Sequence, residues 1–454
     1  MKKVYVKTFG CQMNVYDSQR MVDILKQNGY TTTEVPDDAD VIIVNTCHIR
    51  EKAKERIFSV LGQLKKFKDE KIAKGEYCVV VIAGCVARAE GKKIFSRMPM
   101  VDIVISGEAY HNISSMVNQA FEQYYNEKKN RIIDIDFKTE EKFASLPQVR
   151  DVKGVSEFIA IQDGCDKFCT YCVVPYTRGR EYSRPVKGVI DEIKMLADKG
   201  IKEITLLGQN VDNYHGLDEK GNEIDLAQLI YKVNDINGIE RIRYTTSYPS
   251  QFAEDLMEAH RDLPKLMPYV HLPVQAGSNN TLKRMNRRYT REKYLEIVGK
   301  LRENVPNIAL SSDFIVGFAG ETDEDFKETV SLVEEVKYAS SFSFKYSPRP
   351  GTVGIKLPDQ IPEEIKQQRL EILQGILDQQ QIDFNLSCKD KIMPILVENV
   401  SDKNENVIFG RTPYLQAVIV DCGDIKDLNS LVGKIINVKI VDANLRTLMG
   451  VIEK

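Results

Sequence analysis

The sequence predicts an α/β protein of several domains that ends in a small antiparallel β-barrel. Strand and helix patterns alternate in the first third of the chain, and further strands separated by helical stretches fill the middle. From about Ser387 onward, short alternating segments replace the helices. The 454 residues suffice for two or three domains with their own cores, and we place these domains at 1–145, 146–383 and 384–454.

The first domain is predicted to be a doubly wound parallel sheet. Helical patterns separate its strand candidates, which are VYVKTF, VIIVNT, VVVIAG and the weaker VDIVI. After the first strand, DSQRMVDILKQNG predicts a helix with Asp17 as its N-cap and Gly29 at its end. Repeated strand-then-helix order favours parallel strands with helices packed on both faces of the sheet.

Three cysteines of this domain each follow a predicted strand. Cys11, Cys47 and Cys85 lie just past the ends of VYVKTF, VIIVNT and VVVIAG. The carboxyl ends of parallel strands share one edge, where ligands bind, so we expect three thiols to converge there as a metal site. The alternative is that each is a small buried hydrophobe. We prefer that alternative for the cysteines without a partner at ligand spacing, which are Cys78, Cys388 and Cys422.

The segment GCDKFCTYC predicts a second metal site. Cys165, Cys169 and Cys172 are spaced C-x3-C-x2-C. Three thiolates on so short a segment can bind three irons of an iron–sulfur cube and leave the fourth iron open. Structural zinc usually takes four ligands, and no histidine is near to complete a set, so zinc and plain redox thiols are weaker alternatives.

The C-terminal segments predict a closed barrel of five short strands. They are IMPILVENV, NVIFGRT, LQAVIVD, KIINVKIVDA and TLMGVIE. Residues 389–454 contain nine basic and nine acidic residues. Nucleic-acid recognition there would therefore rest on shape, stacking and a few contacts, for which Arg411, Tyr414 and Arg446 are candidates.

Basic residues are concentrated in two other segments. LKRMNRRYTREK, at 282–293, has six cations against one anion, and 50–74 has nine against four. Either segment could follow a phosphate backbone, although a solvated helix face is the alternative for both. In the first segment the candidate RNA contacts are Arg284, Arg287 and Arg288.

Composition indicates an ordinary globular protein. The net charge of −3 does not by itself indicate a nucleic-acid partner. The run CVVVIAGCVA is too short to cross a membrane, and Lys7 interrupts the apolar stretch that a signal peptide needs. We therefore expect a cytoplasmic protein without a membrane partner, in which cysteines are thiols or metal ligands rather than disulfides.

The C-x3-C-x2-C spacing resembles the radical S-adenosylmethionine (SAM) superfamily. In that superfamily SAM chelates the open iron, and the cysteine motif follows the first strand of a partial (β/α)6 barrel. Here FIAIQ precedes the cysteines, and later strand candidates are EITLLGQN, IRYTTS, YVHLPV, IALSSDFIVGF and SFSFKYS. The resemblance implies SAM contacts at strand ends, at Gln209 and Asn210 (methionine part), Ser247 (ribose), Gln275 nearby, and Val316 and Gly317 (adenine). The alternative is that these groups satisfy hydrogen bonds of the barrel itself.

The whole chain resembles the radical SAM methylthiotransferases, which carry a C-terminal TRAM module. The motifs concerned are FGCQMNVYDS, NTCHIREKA, GCVARAEG, GCDKFCTYCVVPYTRGREYSR, LLGQNV, HLPVQAGS and KYSPRPGT. They are most similar to the tRNA branch that acts on isopentenyladenosine beside the anticodon. Ala276 and Ala319 depart from the serine and proline common in the family, without removing a ligand.

The resemblance implies a specific reaction and its cofactors. Isopentenyladenosine at tRNA position 37 would gain a sulfur at C2 by radical chemistry, and SAM would methylate that sulfur. Two 4Fe-4S clusters are implied, one on Cys165, Cys169 and Cys172 and an auxiliary one on Cys11, Cys47 and Cys85. A flavodoxin or ferredoxin would be the reductant of a monomeric enzyme.

Other functions remain open at this point. A related enzyme could methylthiolate threonylcarbamoyladenosine or a protein side chain. A two-cluster electron carrier or an RNA-binding regulator would need no catalysis. The absence of a fourth cysteine at both sites argues against an electron carrier, because such proteins usually ligate every iron.

Overall fold

The computed structural model describes residues 1–47, 51–127, 131–137, 139–404, 406–423, 425 and 427–453, and for 51–56 it describes the backbone alone. The chain forms two compact units. The first comprises 1–151, 162–167 and 172–184, and the second comprises 152–161, 168–171 and 185–454. The domain boundaries expected at 145 and 383 stay a prediction.

The elements are numbered in chain order. The strands are β1 (Lys3–Thr8), β2 (Thr31–Thr32), β3 (Val41–Thr46), β4 (Val79–Gly84), β5 (Ile103–Ile105), β6 (Ile132–Asp134), β7 (Ser156–Ala160), β8 (Gln162–Asp163), β9 (Tyr182–Ser183), β10 (Glu203–Leu207), β11 (Gly216–Leu217), β12 (Glu223–Ile224), β13 (Arg241–Thr245), β14 (Tyr269–His271), β15 (Ala309–Val316), β16 (Ser340–Lys345), β17 (Ile392–Val400), β18 (Val407–Arg411), β19 (Ala417–Asp421), β20 (Ile435–Ala443) and β21 (Thr447–Ile452). The helices are α1 (Gln12–Gln27), α2 (Glu51–Ala73), α3 (Cys85–Glu90), α4 (Lys93–Arg97), α5 (Ile113–Tyr125), α6 (Thr139–Ala144), α7 (Val174–Thr177), α8 (Val186–Asp198), α9 (Leu226–Asn234), α10 (Glu254–Asp262), α11 (Asn279–Arg284), α12 (Arg291–Asn304), α13 (Asp323–Val336) and α14 (Glu363–Leu386).

The first unit contains a parallel sheet in the order β2-β1-β3-β4-β5-β6. Every residue of β3 and β4 is buried, which explains their unbroken apolar sequences, because helices cover both faces of such a sheet. The four predicted strands are confirmed. The short edge strands β2 and β6 were not predicted, since two or three residues carry too little pattern.

The start of α1 differs from the prediction. Cys11, with extended backbone, occupies the N-cap position, so the helix begins at Gln12 rather than after Asp17. Asp17 instead lies within the helix and is buried, and its carboxylate pairs with two cations described below. The predicted end of the helix holds, because Gly29 follows the C-cap residue Asn28 with φ +83°.

The second unit begins with six parallel strands separated by helices, as a partial (β/α)6 barrel requires. The strand order is β7-β10-β13 in one sheet and β14-β15-β16 in the other. A parallel bridge between Ile242 and Leu266 connects the β13 and β14 regions. All six predicted strands are present, so each carboxyl-terminal strand end contributes to one rim.

The last five strands close into a barrel in the order β17-β18-β19-β21-β20. Its core contains alternate residues of each strand, among them Ile395, Val397, Val418 and Val420. The intervening residues face outward, as expected for a small barrel whose interior is filled by side chains. All five predicted strands are confirmed.

Two buried arginines of β13 bind the backbone of this C-terminal barrel. Arg241 donates to the carbonyls of Arg411 (2.8 Å) and Pro394 (2.7 Å). Arg243 donates to the carbonyls of Pro413 and Thr412 at 2.8 and 2.9 Å. Because β17, β18 and the loop after β18 supply the acceptors, the two arginines hold β13 and the closed barrel together.

Glu203 of β10 offsets part of the charge of these two arginines. Its Oε2 lies 3.0 Å from Arg243 Nε and 4.0 Å from an Arg241 Nη atom, and all three side chains are at most 4% exposed. Burial lowers the pKa of Arg241 to about 10, which still leaves it charged at neutral pH.

In the part of the chain that the structure describes, no helix is both long and apolar enough to span a membrane.

We expect Arg243→Ala to destabilise the second unit by on the order of 3 kcal/mol, because it leaves Glu203 with less compensation in a buried position. The measurement is the thermal unfolding midpoint, with Arg446→Ala as the control that removes an exposed arginine from the same unit. A midpoint equal to that of the wild type would show that these contacts are not needed for stability.

Candidate functional site

The structure brings Cys11, Cys47 and Cys85 to one edge of the first unit's sheet. They follow β1, β3 and β4, which are neighbouring parallel strands with Thr8 opposite Asn45 and Thr46 opposite Gly84. Burial is the main cause that raises the pKa of Cys85 to about 12; Arg178 acts in the opposite direction, and the neighbouring Cys47 and Cys11 add to the increase. The three thiols therefore lie close enough to interact, as the strand pattern predicted.

Buried polar side chains fix the segments that carry these thiols. Asn45 Nδ2 donates to the carbonyl of Asn14 and to Ser18 Oγ, both at 2.9 Å. Asn14 Nδ2 donates to the carbonyl of Phe9 at 3.1 Å, and Cys11 Sγ lies 3.6 Å from Asn14 Oδ1. These bonds join the start of α1 to the end of β3, so two of the three cysteine segments have a defined separation.

Gly10 is required by the close approach of Cys47. Its φ of +123° is outside the range that L side chains readily adopt. A Cβ at this position would lie 2.4 Å from Cys47 Cβ and 3.2 Å from Cys47 Sγ. Any side chain here would therefore displace the Cys47 thiol.

Three thiols are the donor set that an iron–sulfur cube with one open iron takes. Among the described residues, no three His, Cys, Asp or Glu side chains surround one ion-sized point. In a cube, each of the three cysteines binds a different iron, so their sulfurs stand further apart than the ligands of one ion. Three thiols without a fourth would leave one iron open.

The second cysteine group is on a loop that contributes to both units. Cys165 and Cys172 belong to the first unit, and Cys169 belongs to the second. Cys165 N donates to the carbonyl of Gly179 at 3.2 Å, and Val174 N donates to Cys172 Sγ at 3.4 Å. The Cys172 sulfur thus accepts a backbone hydrogen bond at the start of α7.

Four buried charges pack together within the first unit, and two of them, Asp163 and Arg178, lie close in sequence to Cys165 and Cys172. Lys142 Nζ lies 3.1 Å from Asp17 Oδ1 and 2.5 Å from Asp163 Oδ2. Arg178 donates to Asp163 Oδ1 at 2.9 Å and to Asp17 Oδ2 at 2.8 Å. Burial alone would raise the pKa of Asp163, but the charges of Arg178 and Lys142 outweigh it and hold that pKa below its ordinary value. We call these four residues the buried ion network.

Glu108 lies beside this network without joining it. Its side chain is fully buried, and neither carboxylate oxygen has a hydrogen-bond partner among the described residues. Burial and the charge of Asp163 raise the pKa of Glu108 to about 7. Sequence reasoning missed Glu108 and all four members of the network as site residues. Only the position of Asp163 and Arg178 beside the cysteine motif could have pointed to them.

The six predicted SAM contacts all lie at the carboxyl ends of barrel strands. Their positions are Gln209 and Asn210 after β10, Ser247 after β13, Gln275 after β14, Val316 as the last residue of β15, and Gly317 immediately after it. The structure thus places them on one rim of the partial barrel, where ligands of such folds bind. Their contacts with SAM stay a prediction.

Ser247 gives this rim a group suited to a polar ligand. It is 4% exposed, and its hydroxyl has no hydrogen-bond partner among the described residues. Gln275 has an unusual φ of +73° for a residue with a side chain, held by hydrogen bonds of its backbone to Asp313 and Ile315. Buried polar groups are normally paired, so the Ser247 hydroxyl is suited to a polar ligand, and its contact with a ribose stays a prediction.

The candidate RNA contacts have different environments. The side chains of Arg288 and Arg446 are exposed. Arg284 donates to the carbonyl of Ala319 at 2.7 Å, and Arg411 lies 3.5 Å from Glu398, so both are partly committed within the protein. Tyr414 is half-buried and its ring packs edge-on against Phe384. Within the basic segment 50–74, Arg50 lies outside the described residues and the side chains of 51–56 are not described.

The structure corrects the placement of Arg287. Its side chain is only 9% exposed, and it donates to the carbonyl of Pro273 at 2.6 Å and to the hydroxyl of Tyr289 at 2.7 Å. A guanidinium held in this way cannot follow a phosphate backbone on the surface. The density of basic residues suggested exposure, but the tyrosines that enclose Arg287 come from a neighbouring turn and a distant loop.

We expect Gly10→Ala to reduce the iron bound at the N-terminal triad, because the new Cβ displaces Cys47. The measurement is iron per chain after anaerobic reconstitution of a protein in which Cys165, Cys169 and Cys172 are replaced by Ala. Gly29→Ala is the control, since Gly29 also has positive φ but no atom within 4 Å of its added Cβ. Equal iron in the two variants would contradict a site at Cys47.

Three protein families match successive parts of the chain. The uncharacterized protein family UPF0004 matches 3–106, the radical SAM superfamily matches 159–333, and the TRAM domain matches 387–452. The radical SAM match implies a 4Fe-4S cluster and SAM as cofactors. The first match ends before β6 and the second ends before β16, whereas the third spans all five strands of the closed barrel.

Solved structures share the fold at low sequence identity. The radical SAM methyltransferase TsrM from Kitasatospora setae has a TM-score of 0.56 at 14% identity, covering 78% of each chain. The cobalamin-dependent radical SAM enzyme OxsB has a TM-score of 0.53 at 13% identity, covering 83% of this chain and 56% of that one. These similarities support the fold alone.

Full-length relatives are much more similar. Proteins named tRNA-2-methylthio-N(6)-dimethylallyladenosine synthase, from Rickettsia rickettsii and Rickettsia felis, are 50% identical over 450 residues, with 99% of each chain covered. Both cysteine groups and the barrel rim described above lie inside the aligned length. The chain therefore belongs to the family of tRNA-2-methylthio-N(6)-dimethylallyladenosine synthases.

Proposed function

We propose that this protein methylthiolates tRNA. Its substrate is N6-dimethylallyladenosine, also called isopentenyladenosine, at position 37 beside the anticodon. The reaction inserts sulfur at C2 of the adenine by radical SAM chemistry, and a second SAM methylates that sulfur. Support comes from the full-length relatives of this name and from two cysteine triads, each one ligand short of closing a cube.

The observation that carries the proposal is the convergence of Cys11, Cys47 and Cys85 at the ends of three neighbouring parallel strands. A radical SAM enzyme needs the C-x3-C-x2-C triad alone to cleave SAM. A second triad with an open position is useful when a further atom, here sulfur, must be delivered to the substrate. When bound, the cluster on the C-x3-C-x2-C triad would supply the electron for SAM cleavage, and the cluster on the other triad would supply the site from which sulfur is transferred.

The protein's own residues bind and orient the reactants. The thiolates of each triad hold a cluster and leave one iron accessible. The rim of the barrel binds SAM, with the Ser247 hydroxyl available to the ribose and with Val316 and Gly317 beside the adenine. Gly317 is suited to this position because its φ is +68° and a Cβ would lie 2.3 Å from Lys366 Cγ.

The tRNA is held by contacts spread over exposed positions. Arg288 and Arg446 offer exposed guanidinium groups to phosphates, and Arg411 and Tyr414 lie together near the same end of the closed barrel. Single-stranded loop bases can leave their stack, so the anticodon-loop adenine can enter the active site without melting a duplex. We further propose that the enzyme is a cytoplasmic monomer reduced by a flavodoxin or ferredoxin.

The two triads should have separable roles. Replacing Cys165, Cys169 and Cys172 by Ala should abolish both 5'-deoxyadenosine formation and the methylthio product. Replacing Cys11, Cys47 and Cys85 by Ala should keep 5'-deoxyadenosine formation and abolish the product. The wild type should bind about eight irons per chain, four per cube, and each triple variant about half. The assay uses anaerobically reconstituted protein and an isopentenylated anticodon stem-loop.

The same stem-loop with unmodified adenosine is the control for substrate choice. It should react far more slowly, because the family motifs belong to the branch that requires the modified base. Equal rates on the two stem-loops would contradict the assignment of isopentenyladenosine as the substrate. An N-terminal triple variant that kept all its iron and still made product would show that Cys11, Cys47 and Cys85 are ordinary thiols.

A further inference from the structure

Among the described residues, Arg287 is a buried cation without a counter-ion. Among the residues that the structure describes, no carboxylate lies within ion-pair distance of its guanidinium. Its neutral partners are the carbonyl of Pro273 and the hydroxyl of Tyr289, and it lies over the rings of Tyr248 (4.3 Å) and Tyr289 (5.0 Å). A buried charge is costly unless it is paired, so the surroundings lack an anion.

One further contact of Arg287 indicates where that anion belongs. An Nη atom of Arg287 lies 3.6 Å from Sγ of Cys169, within the range of an N–H···S hydrogen bond. Both side chains are less than a tenth exposed. As a thiol, Cys169 offers a weak acceptor and no charge, whereas a thiolate bound to iron offers both charge and lone pairs.

The segment that carries Arg287 also fixes the backbone around Cys169. Thr170 N donates to the carbonyl of Met285, and Thr170 Oγ1 donates to the carbonyl of Arg284, both at 3.0 Å. Asn286 Nδ2 donates to the carbonyl of Phe168 at 3.0 Å. Residues 284–287 therefore hold the cysteine segment from both sides of Cys169, and the distance from Arg287 to the sulfur is set by several contacts.

We propose that Arg287 is a positioning residue that donates a hydrogen bond to the cluster-bearing sulfur of Cys169 and raises the reduction potential of that cluster. The proposal rests on the proposed function, because it takes Cys169 to be a cluster ligand. The reduced cluster carries one more negative charge than the oxidised cluster, so a nearby cation stabilises the reduced form more. Hydrogen bonds to cluster sulfurs and local charge are established controls of such potentials.

The enclosed setting makes this effect strong. Tyr248 and Tyr289 cover the guanidinium, and their rings meet edge-on with centroids 5.6 Å apart, which limits the access of water. In a medium of low dielectric constant, a charge acts on a neighbour much more than it does in water. Arg288, the next residue, is exposed and is expected to have little effect on the cluster.

The test is a redox titration followed by electron paramagnetic resonance. It uses the full chain with Cys11, Cys47 and Cys85 replaced by Ala, so that a single cluster titrates. Arg287→Met should shift the midpoint potential to a more negative value and lower the ratio of reduced to oxidised cluster about tenfold at a fixed potential. Arg287→Lys, which keeps the charge, should fall between Met and the parent protein.

Arg288→Met is the matched control, since it removes the same charge from an exposed neighbour and should leave the midpoint unchanged. If Arg287→Met does not bind iron, Arg287→Gln, which removes the charge and keeps an N–H donor, should still shift the midpoint potential to a more negative value. A midpoint equal to the parent's in a loaded uncharged variant overturns the proposal, as does a loss confined to SAM affinity. A parent protein with no cluster signal would contradict the proposed function instead.

Discussion

Four charged side chains, Asp17, Lys142, Asp163 and Arg178, pack together inside the first unit, each at most 4% exposed. Each cation contacts both carboxylates, so the loss of one member leaves an unbalanced charge where water cannot replace it. Asp17 lies on α1, whose first turn begins at Cys11, and Asp163 and Arg178 flank Cys165 and Cys172 in sequence. The placement of these cysteine segments within the first unit therefore depends on the network. Its main effect is to favour one arrangement of these segments, because a buried ion pair adds little net stability.

A second constraint is the direction of the strands. Parallel strands end at a common edge, and both candidate sites use that geometry, one on the sheet of the first unit and one on the partial barrel of the second. The segments beyond the strands have irregular backbone, as at Gly10, Gln275 and Gly317. Such conformations cost stability and persist where a binding site needs a close approach or a specific direction of a side chain.

The sequence was sufficient where a pattern was local. Runs such as VIIVNT and VVVIAG have the length and the apolar content of buried strands, and the cysteines after them could be placed at a shared edge by topology alone. Contacts between residues far apart in sequence were not accessible in this way. Lys142 and Asp17 are separated by 125 positions and Arg178 and Asp17 by 161, so nothing local indicates that they pair. Arg287 was misplaced in part for the same reason, because Tyr248 and Pro273, which help to bury it, lie outside its charged segment.

The central claim is that one chain holds two iron–sulfur clusters, one on each cysteine triad. The most direct measurement is a crystal structure of the anaerobically reconstituted protein with anomalous diffraction recorded at the iron edge. The account predicts two separate iron peaks, one bounded by Cys11, Cys47 and Cys85 and the other by Cys165, Cys169 and Cys172. A single peak at the second triad, with the sulfurs of Cys11, Cys47 and Cys85 free of iron in fully loaded protein, would contradict it.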